Sequence, residues 1–462
     1  MAGFHIEHFG CRAARADGEA ISARLRALSE SQPFASDVVV VNTCSVTAEA
    51  DRAARAFIRR AHRENPAARI VVTGCYAQRA PEELARLDGV AAVVGNSHKA
   101  LAPQIILDLE RGKSQTGNIP PTFVSVQSLM TGAQAHAPVW VDDEFAHSFI
   151  EDARLAPGAQ TRPNLKIQEG CGNRCTFCVI PFTRGPSKSL SQASVIDQVN
   201  SFVGAGGKEL VLSGINLGRW GRELLGSASG TLAGLVRAIL ERTMLPRLRL
   251  SSIEPMDWDD ELIALLGEFG GRRLARHAHL PLQSGSDAVL RRMHRRYRPW
   301  HYAEKIASLV RAAGRDLTLG ADVMAGFPGE TDREFEETLA FIRALPFGYL
   351  HLFPFSPRPG TPGWALDAEM PVPKAALEER MAALRALADE KTRVHRGRFV
   401  GRELAAITLR TPLPLATRGR SAALTENFLP VELEGRFEAN EMLAARITGI
   451  TGEGGLTARV GG

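Results

Sequence analysis

The stretch from Gln168 to Gly185, Gln-Glu-Gly-Cys-Gly-Asn-Arg-Cys-Thr-Phe-Cys-Val-Ile-Pro-Phe-Thr-Arg-Gly, constrains this chain more than any other. Cys171, Cys175 and Cys178 stand in a CxxxCxxC spacing directly after Leu165-Lys166-Ile167, an apolar-alternating run that reads as a strand. Such a loop can wrap its thiolates around one metal centre, and its glycines and asparagine let the backbone turn tightly enough for the sulfurs to approach. Zinc sites commonly use paired CxxC knuckles. Clustered cysteines with no fourth protein ligand nearby suit a [4Fe–4S] cubane whose fourth iron stays open to a substrate or cofactor. The plainer alternative, buried structural cysteines or a partial zinc site, is disfavoured because thiols rarely cluster without chemistry.

The remaining cysteines of the six in the chain form a second set. Phe4-His-Ile-Glu-His-Phe-Gly-Cys11, Val38-Val-Val-Val-Asn-Thr-Cys44 and Ile70-Val-Val-Thr-Gly-Cys75 are each an apolar strand ending in a cysteine. Helical patterns at Glu19 to Ser29 and Ala48 to Arg63, the latter stopped by Asn65-Pro66, lie between them, and a last helix spans Ala100 to Arg111. Strands alternating with helices predict a doubly wound parallel α/β domain over 1–112, whose strand ends share one edge. Cys11, Cys44 and Cys75 therefore converge on a second three-thiolate site. Ser45, Thr47, Gln78, Gly10 and Gly74 are candidates to donate to its sulfurs. The alternative for each cysteine alone is a small buried residue.

With both sets accounted for, no cysteine is left over for a disulfide, which agrees with a reducing compartment. The first residues lack a basic and then apolar leader, and no window is apolar for the length of a membrane span, so the expectation is a cytoplasmic protein without a membrane partner. A formal net charge of +5 permits an anionic macromolecular partner.

Residues 113–163 read as a linker, with Pro120-Pro121 and a solvated acidic cluster at Asp142-Asp143-Glu144. From 164 to 396 a strand–helix alternation repeats six times, with strands at Leu165 to Gln168, Glu209 to Ser213, Arg247 to Ile253, His277 to Leu282, Thr318 to Ala325 and Tyr349 to Phe355. This predicts a partial (β/α)6 barrel with its chemistry at the carboxyl ends of the strands. Arg291-Arg-Met-His-Arg-Arg-Tyr-Arg298 is either a solvated face or a phosphate- and base-binding run, the latter through Arg292, Arg295, Arg296 and Arg298. Gly326-Phe-Pro-Gly-Glu330 is either a ligand-contacting loop or a turn into a helix capped by Thr331. Residues 397–462 carry short alternating runs for about five strands, a small all-β barrel of a size that commonly binds RNA, the alternative being a purely structural module. A separable RNA-binding module would be removable without harm to the barrel's chemistry.

Cys171-Gly-Asn-Arg-Cys175-Thr-Phe-Cys178 resembles the signature of the radical S-adenosylmethionine (SAM) enzymes. Together with Asn42-Thr-Cys44, Gly74-Cys75-Tyr-Ala-Gln78, Pro281-Leu-Gln-Ser-Gly-Ser286 and Gly326-Phe-Pro-Gly-Glu-Thr331, it makes the whole chain similar to the methylthiotransferases, the last segment being their TRAM domain. The resemblance implies two [4Fe–4S] clusters, SAM on the cluster of Cys171, Cys175 and Cys178, and a sulfur-carrying auxiliary cluster on Cys11, Cys44 and Cys75. It also implies SAM contacts from Phe177, Gly214, Glu254, Gln283 and Gly326, the anticodon loop of tRNA as partner, and an electron donor such as flavodoxin. Arg184 is a candidate for a substrate carboxylate. Gly74-Cys-Tyr-Ala-Gln78, Ser251-Ser-Ile-Glu-Pro255 and Arg292-Met-His-Arg-Arg-Tyr297 resemble the branch acting on threonylcarbamoyladenosine. An isopentenyladenosine tRNA or a ribosomal-protein aspartate is the alternative substrate, and a non-catalytic RNA-binding iron–sulfur protein is the alternative class. One departure is Ala14, where the family commonly has asparagine; Asp17 or Glu19 is the candidate compensation.

Overall fold

The computed structural model describes residues 3–31, 37–110, 136–149, 161–224, 230–452 and 454–461. The chain separates into two units: residues 1–154, 168–188 and 356–361, and residues 155–167, 189–355 and 362–462. The cysteine-rich loop thus belongs with the N-terminal unit, although the strand leading to it starts in the other.

In the first unit β1 (Phe4–His8), β2 (Val38–Thr43), β3 (Arg69–Gly74), β4 (Val90–Gly95) and β5 (Val139–Trp140) form one parallel sheet. Continuous β-branched runs such as Val38-Val-Val-Val suit strands covered on both faces. Ile21 and Leu25 of the helix Arg12–Ser31 pack with Ile105 and Ile106 in one core cluster, and Ala54 and Ile58 of the helix Ala48–Glu64 pack with Leu84 in another. The parallel α/β domain expected from the alternating strands and helices is present, its strands lying in the spatial order β1-β2-β3-β4-β5. Residues 139–140, expected in a linker, are the fifth strand, with Val139 and Trp140 buried. The acidic cluster is not simply solvated: Asp142 Oδ1 accepts from the backbone N–H groups of Glu144 and Phe145 and so caps that turn. Most of the expected linker, including Pro120-Pro121, lies outside the described residues.

The second unit holds the barrel strands as expected, apart from residues 168–169 and 188, which fall in the first. β6 (Asn164–Glu169), β8 (Glu209–Gly214) and β9 (Arg247–Leu250) form a sheet with the short β7 (Lys188–Ser189) at its edge. β10 (His277–His279), β11 (Thr318–Ala325) and β12 (Tyr349–Pro354) form a second, parallel one. The Ile253 N–H donates to the His279 carbonyl at 3.0 Å between the two. β13 (Glu403–Thr408), β14 (Arg420–Thr425), β15 (Pro430–Glu434), β17 (Leu456–Val460) and β16 (Met442–Ile450) close, in that spatial order, into a five-stranded barrel. This barrel packs on the amino ends of the (β/α) strands. Glu426 accepts from Arg276 Nε and Nη2 at 2.8 and 2.5 Å, Arg249 Nη2 donates to the Thr425 carbonyl, and Phe428 stacks on His277 with ring centroids 4.2 Å apart.

The helix Lys374–Gly397 connects the two barrels and buries His395, whose Nε2 lies 2.9 Å from Thr318 Oγ1. Burial, then the nearby Arg398 and Arg396 cations, push the His395 pKa down to about 4 from 6.5. The folded state therefore binds this proton less tightly than the unfolded state. The associated stability is fully present above pH 6.5 and is lost as pH falls toward 4, by about 3 kcal/mol. Urea titrations at pH 7 and pH 4.5 should show the drop, and His395→Asn should reduce it; an equal drop in the variant would assign it to other groups.

Candidate cluster sites and strand-end residues

Within the first unit, the ends of β1, β2 and β3 deliver Cys11, Cys44 and Cys75. Cys11 is exposed and the other two are buried. Gly10 fits the close approach of Cys11 to Cys44, because with φ +112° an added Cβ would lie 2.7 Å from Cys44 Sγ. Burial first, and then the neighbouring Cys75 and Cys11 thiolates, push the Cys44 thiol up to about 12; the Val46 backbone N–H and Arg184 oppose this. Three thiolates so placed need a cationic centre to ionise together.

The donors to sulfur are not those expected. Thr47 caps the helix Ala48–Glu64 by accepting from Ala50 N–H, Ser45 accepts from Arg79 Nε, and Gln78 bonds the Asp142 carbonyl and Ser97 N–H. Cys75 Sγ instead faces Asn96 Nδ2 at 3.3 Å and Arg184 Nε at 3.2 Å. Sequence reasoning missed Asn96 because it follows β4, a strand without a cysteine. Near Cys44, Asp51 Oδ2 takes Arg79 Nη2 at 2.7 Å and Arg358 Nη1 and Nη2 at 3.0 and 2.9 Å. At the position of the departure, the Ala14 carbonyl accepts from Asn42 Nδ2. Asp17 holds Arg184, whereas Glu19 pairs with Arg15.

The second trio lies in the same unit. The Cys171 N–H donates to the Gly185 carbonyl at 3.1 Å and the Cys178 N–H to the Cys175 carbonyl at 3.1 Å, which closes the loop. Asn173 N–H points to Cys171 Sγ at 3.4 Å, and Phe177 is half-buried. Each site offers three cysteine sulfurs, a donor set that fits a [4Fe–4S] cubane with one iron left open.

Arg184 was read as a substrate-binding arginine, and the structure corrects this. Its side chain is buried, with Nη1 donating to Asp17 Oδ2 at 3.0 Å and to Glu169 Oε1 at 2.8 Å. Burial opposes its charge, but Cys75, Glu169 and Asp17 more than compensate and hold it firmly protonated.

In the second unit the expected SAM-contacting residues stand at or just beyond strand ends: Gly214 closes β8, Glu254 follows β9, Gln283 follows β10 and Gly326 follows β11. Gln283 has φ +64°, a left-handed conformation that costs energy for a residue with a side chain and commonly marks functional loops. Gly326 has φ +76°, and an added Cβ would lie 2.7 Å from Leu377 Cδ1; its N–H donates to Glu330 Oε2 at 2.8 Å. Thr331 and Glu334 then form the expected capping box.

Three arginines of the run are paired with acids of the same unit. Arg295 Nη2 is 2.5 Å from Glu254 Oε2, Arg292 makes a forked pair with Glu334 at 2.9 and 2.7 Å and donates to the Gly329 carbonyl, and Arg298 Nε pairs with Asp287 at 3.1 Å. Buried Tyr297 donates to the Pro281 and Leu282 carbonyls. The run braces the loops that carry Gln283 and Gly326. Arg296, 45% exposed with its nearest acid, Asp257, at 3.7 Å, retains the most freedom among the four arginines singled out.

One cluster escaped sequence reasoning. His279, Asp322 and His351, from three adjacent strands, bring ligand atoms within 4.8 Å of one another, and the imidazoles hold the Asp322 carboxyl well below the usual range although burial opposes it. Only the facing of neighbouring strands, invisible in a linear pattern, makes it.

Residues 3–95 match the family described as Uncharacterized protein family UPF0004, and residues 165–342 match the Radical SAM superfamily. Fold and cysteine placement thus define a radical SAM protein with an added three-cysteine domain. The chain is 34% identical to threonylcarbamoyladenosine tRNA methylthiotransferase MtaB of Bacillus subtilis (strain 168), over 94% of this chain and 91% of that one. It is 33% identical to the same-named protein of Aquifex aeolicus (strain VF5), over 89% and 91%. It is 35% identical to tRNA-2-methylthio-N(6)-dimethylallyladenosine synthase of Erythrobacter litoralis (strain HTCC2594), over 88% and 86%. It belongs to the radical SAM methylthiotransferase family. Among solved structures, the radical SAM methyltransferase TsrM from Kitasatospora setae shares its fold at TM-score 0.51 and 17% identity, over 76% of this chain and 66% of that one.

Proposed function

We propose that this protein transfers a methylthio group to C2 of threonylcarbamoyladenosine beside the tRNA anticodon. The observation that carries the reading is the presence of two separate three-cysteine sites in one unit, with a guanidinium set against a sulfur of the N-terminal one. An aromatic C2–H has no useful acidity, so a general base cannot activate it; SAM bound at a [4Fe–4S] cluster supplies the radical that can. Cys171, Cys175 and Cys178 would hold that cluster, and Cys11, Cys44 and Cys75 the auxiliary one, where sulfur is kept.

The MtaB name of the Bacillus and Aquifex relatives supports the threonylcarbamoyl substrate, while the Erythrobacter relative keeps the dimethylallyl substrate as the second reading. Threonylcarbamoyladenosine carries a carboxylate, and of Arg292, Arg295, Arg296 and Arg298 it is Arg296 that has the most exposure to meet it. The reading also assigns a flavodoxin-like electron donor and a cytoplasmic location, in keeping with the finding that no described helix is long and apolar enough to cross a membrane.

The test is a paired assay of reconstituted protein with tRNA bearing each modification, scored for methylthio product by mass spectrometry. Product on the threonylcarbamoyl tRNA is expected. Product on the isopentenyl tRNA alone would refute the substrate, and deoxyadenosine formation without product on either would redirect the search to a protein substrate.

A further inference from the structure

Arg184 follows the Cys171–Cys178 loop in sequence, yet its guanidinium reaches the sulfur of Cys75, 109 positions earlier. Around it, Asp17 and Glu169 are both already met by buried Lys99, at 3.0 and 2.5 Å. The two cations and two carboxylates balance, so these acids alone do not require a guanidinium rather than a second ammonium. What the guanidinium adds is a fork. Nε faces Cys75 Sγ at 3.2 Å, and the buried Nη2 has no hydrogen-bond partner. A buried donor is seldom left without an acceptor. Asn96 adds a second contact to the same sulfur at 3.3 Å while holding the Thr183 carbonyl at 2.8 Å, next to Arg184. Two side chains from different elements therefore converge on one cysteine sulfur, with one donor to spare.

We propose that Arg184 and Asn96 are positioning residues that set the reduction potential of the cluster held by Cys11, Cys44 and Cys75. They act through donors to Cys75 Sγ and, from Arg184 Nη2, to a sulfide of that cluster. Hydrogen bonds to cluster sulfur and a nearby positive charge favour the reduced state, which carries more negative charge, and so raise the potential. Because Glu169 and Gly170 lead directly into Cys171, the same guanidinium also ties the start of the other cysteine loop to the auxiliary sulfur.

The inference rests on the reading that the N-terminal site carries a cluster, and the experiment separates the two. In the full chain with Cys171, Cys175 and Cys178 all replaced by alanine, only the auxiliary cluster remains, and iron and sulfide are measured after anaerobic reconstitution. About four irons are expected; none would defeat the functional reading and this inference with it. An EPR-monitored redox titration then compares Asn96→Leu and Arg184→Lys with that parent. Both should retain iron and have more negative midpoint potentials, Arg184→Lys the more so, because it loses two donors to sulfur where Asn96→Leu loses one, although it keeps the charge. Asn96→Leu leaves the charge network intact and decides the matter if Arg184→Lys does not fold. Loaded variants with the parent's potential would overturn the inference while leaving the functional reading in place.

Discussion

Replacing Cys171, Cys175 and Cys178 together by alanine is expected to halve the iron of the reconstituted protein and abolish SAM cleavage, whereas replacing Cys11, Cys44 and Cys75 should halve the iron and leave cleavage intact. Two cubanes carry about eight irons, so each variant should retain about four. The first effect follows from chemistry: without its thiolates the open iron that would bind SAM is gone. The second depends on whether the Cys171 loop keeps its shape once Cys75 is lost. Here the charge network decides, since Arg184 retains Asp17 and Glu169, and the loop retains the Cys171-to-Gly185 backbone bond. The buried Cys44 thiol, pushed up to about 12, also has little reason to stay ionised without metal, so its replacement removes no charge from the metal-free unit at neutral pH. Deoxyadenosine should therefore still form in the second variant, with no methylthio product. Loss of cleavage while the remaining four irons persist would show that the two sites do not divide the work in this way.

Deleting residues 397–462 should do far more than weaken RNA binding. A separable module was expected from the sequence, but within its unit the small barrel forms the floor of the larger one. Arg249, fully buried, pairs with Glu209 at 2.9 Å and gives Nη2 to the Thr425 carbonyl; its guanidinium also lies over Phe428, 5.3 Å from the ring centroid. Asn427 Nδ2 donates to the Asp316 carbonyl at 3.0 Å, and Arg402 forks onto the Asp316 carboxylate at 2.6 and 2.8 Å. Removing these partners leaves buried charge unsatisfied and uncovers the stacked His277 and Tyr349. The truncated chain should lose SAM cleavage along with tRNA binding and be largely insoluble.

A milder version isolates the cause. Glu426→Ala should cost about 2–3 kcal/mol, below the figure for a fully buried pair because Arg276 is partly solvated and keeps Asp316. That loss should appear in the denaturant midpoint at unchanged slope. A soluble truncation with full SAM cleavage would show that the floor is dispensable.

The parts legible in the sequence are those written in local periodicity. Three apolar runs each ending in cysteine, and six strand–helix repeats after them, gave the strands at Val38–Thr43, Arg69–Gly74 and Thr318–Ala325 nearly to the residue. The capping box at Thr331 was likewise local. The errors lie where partners come from distant segments. Arg184 reads as a free cation until Asp17, 167 positions away, is brought beside it. The arginines of 291–298 read either as a solvated face or as a phosphate-binding run, because Glu254, Asp257 and Glu334, which meet three of them, lie on other elements. The edge strand Val139–Trp140 is too short for any period to register, and only the apolar edge of β4 makes it a strand.

The central claim is that two sites, one providing a radical and one holding sulfur, serve a single modified nucleoside. Mass spectrometry of tRNA nucleosides from a deletion strain, complemented in turn by the intact chain and by its Cys11/Cys44/Cys75 triple-alanine variant, tests this most directly. The account predicts that threonylcarbamoyladenosine accumulates without its methylthio group in the deletion and in the strain carrying the variant, and that the intact chain restores the group. Methylthio-threonylcarbamoyladenosine at its normal level in the deletion strain, or restored by the variant, would contradict it.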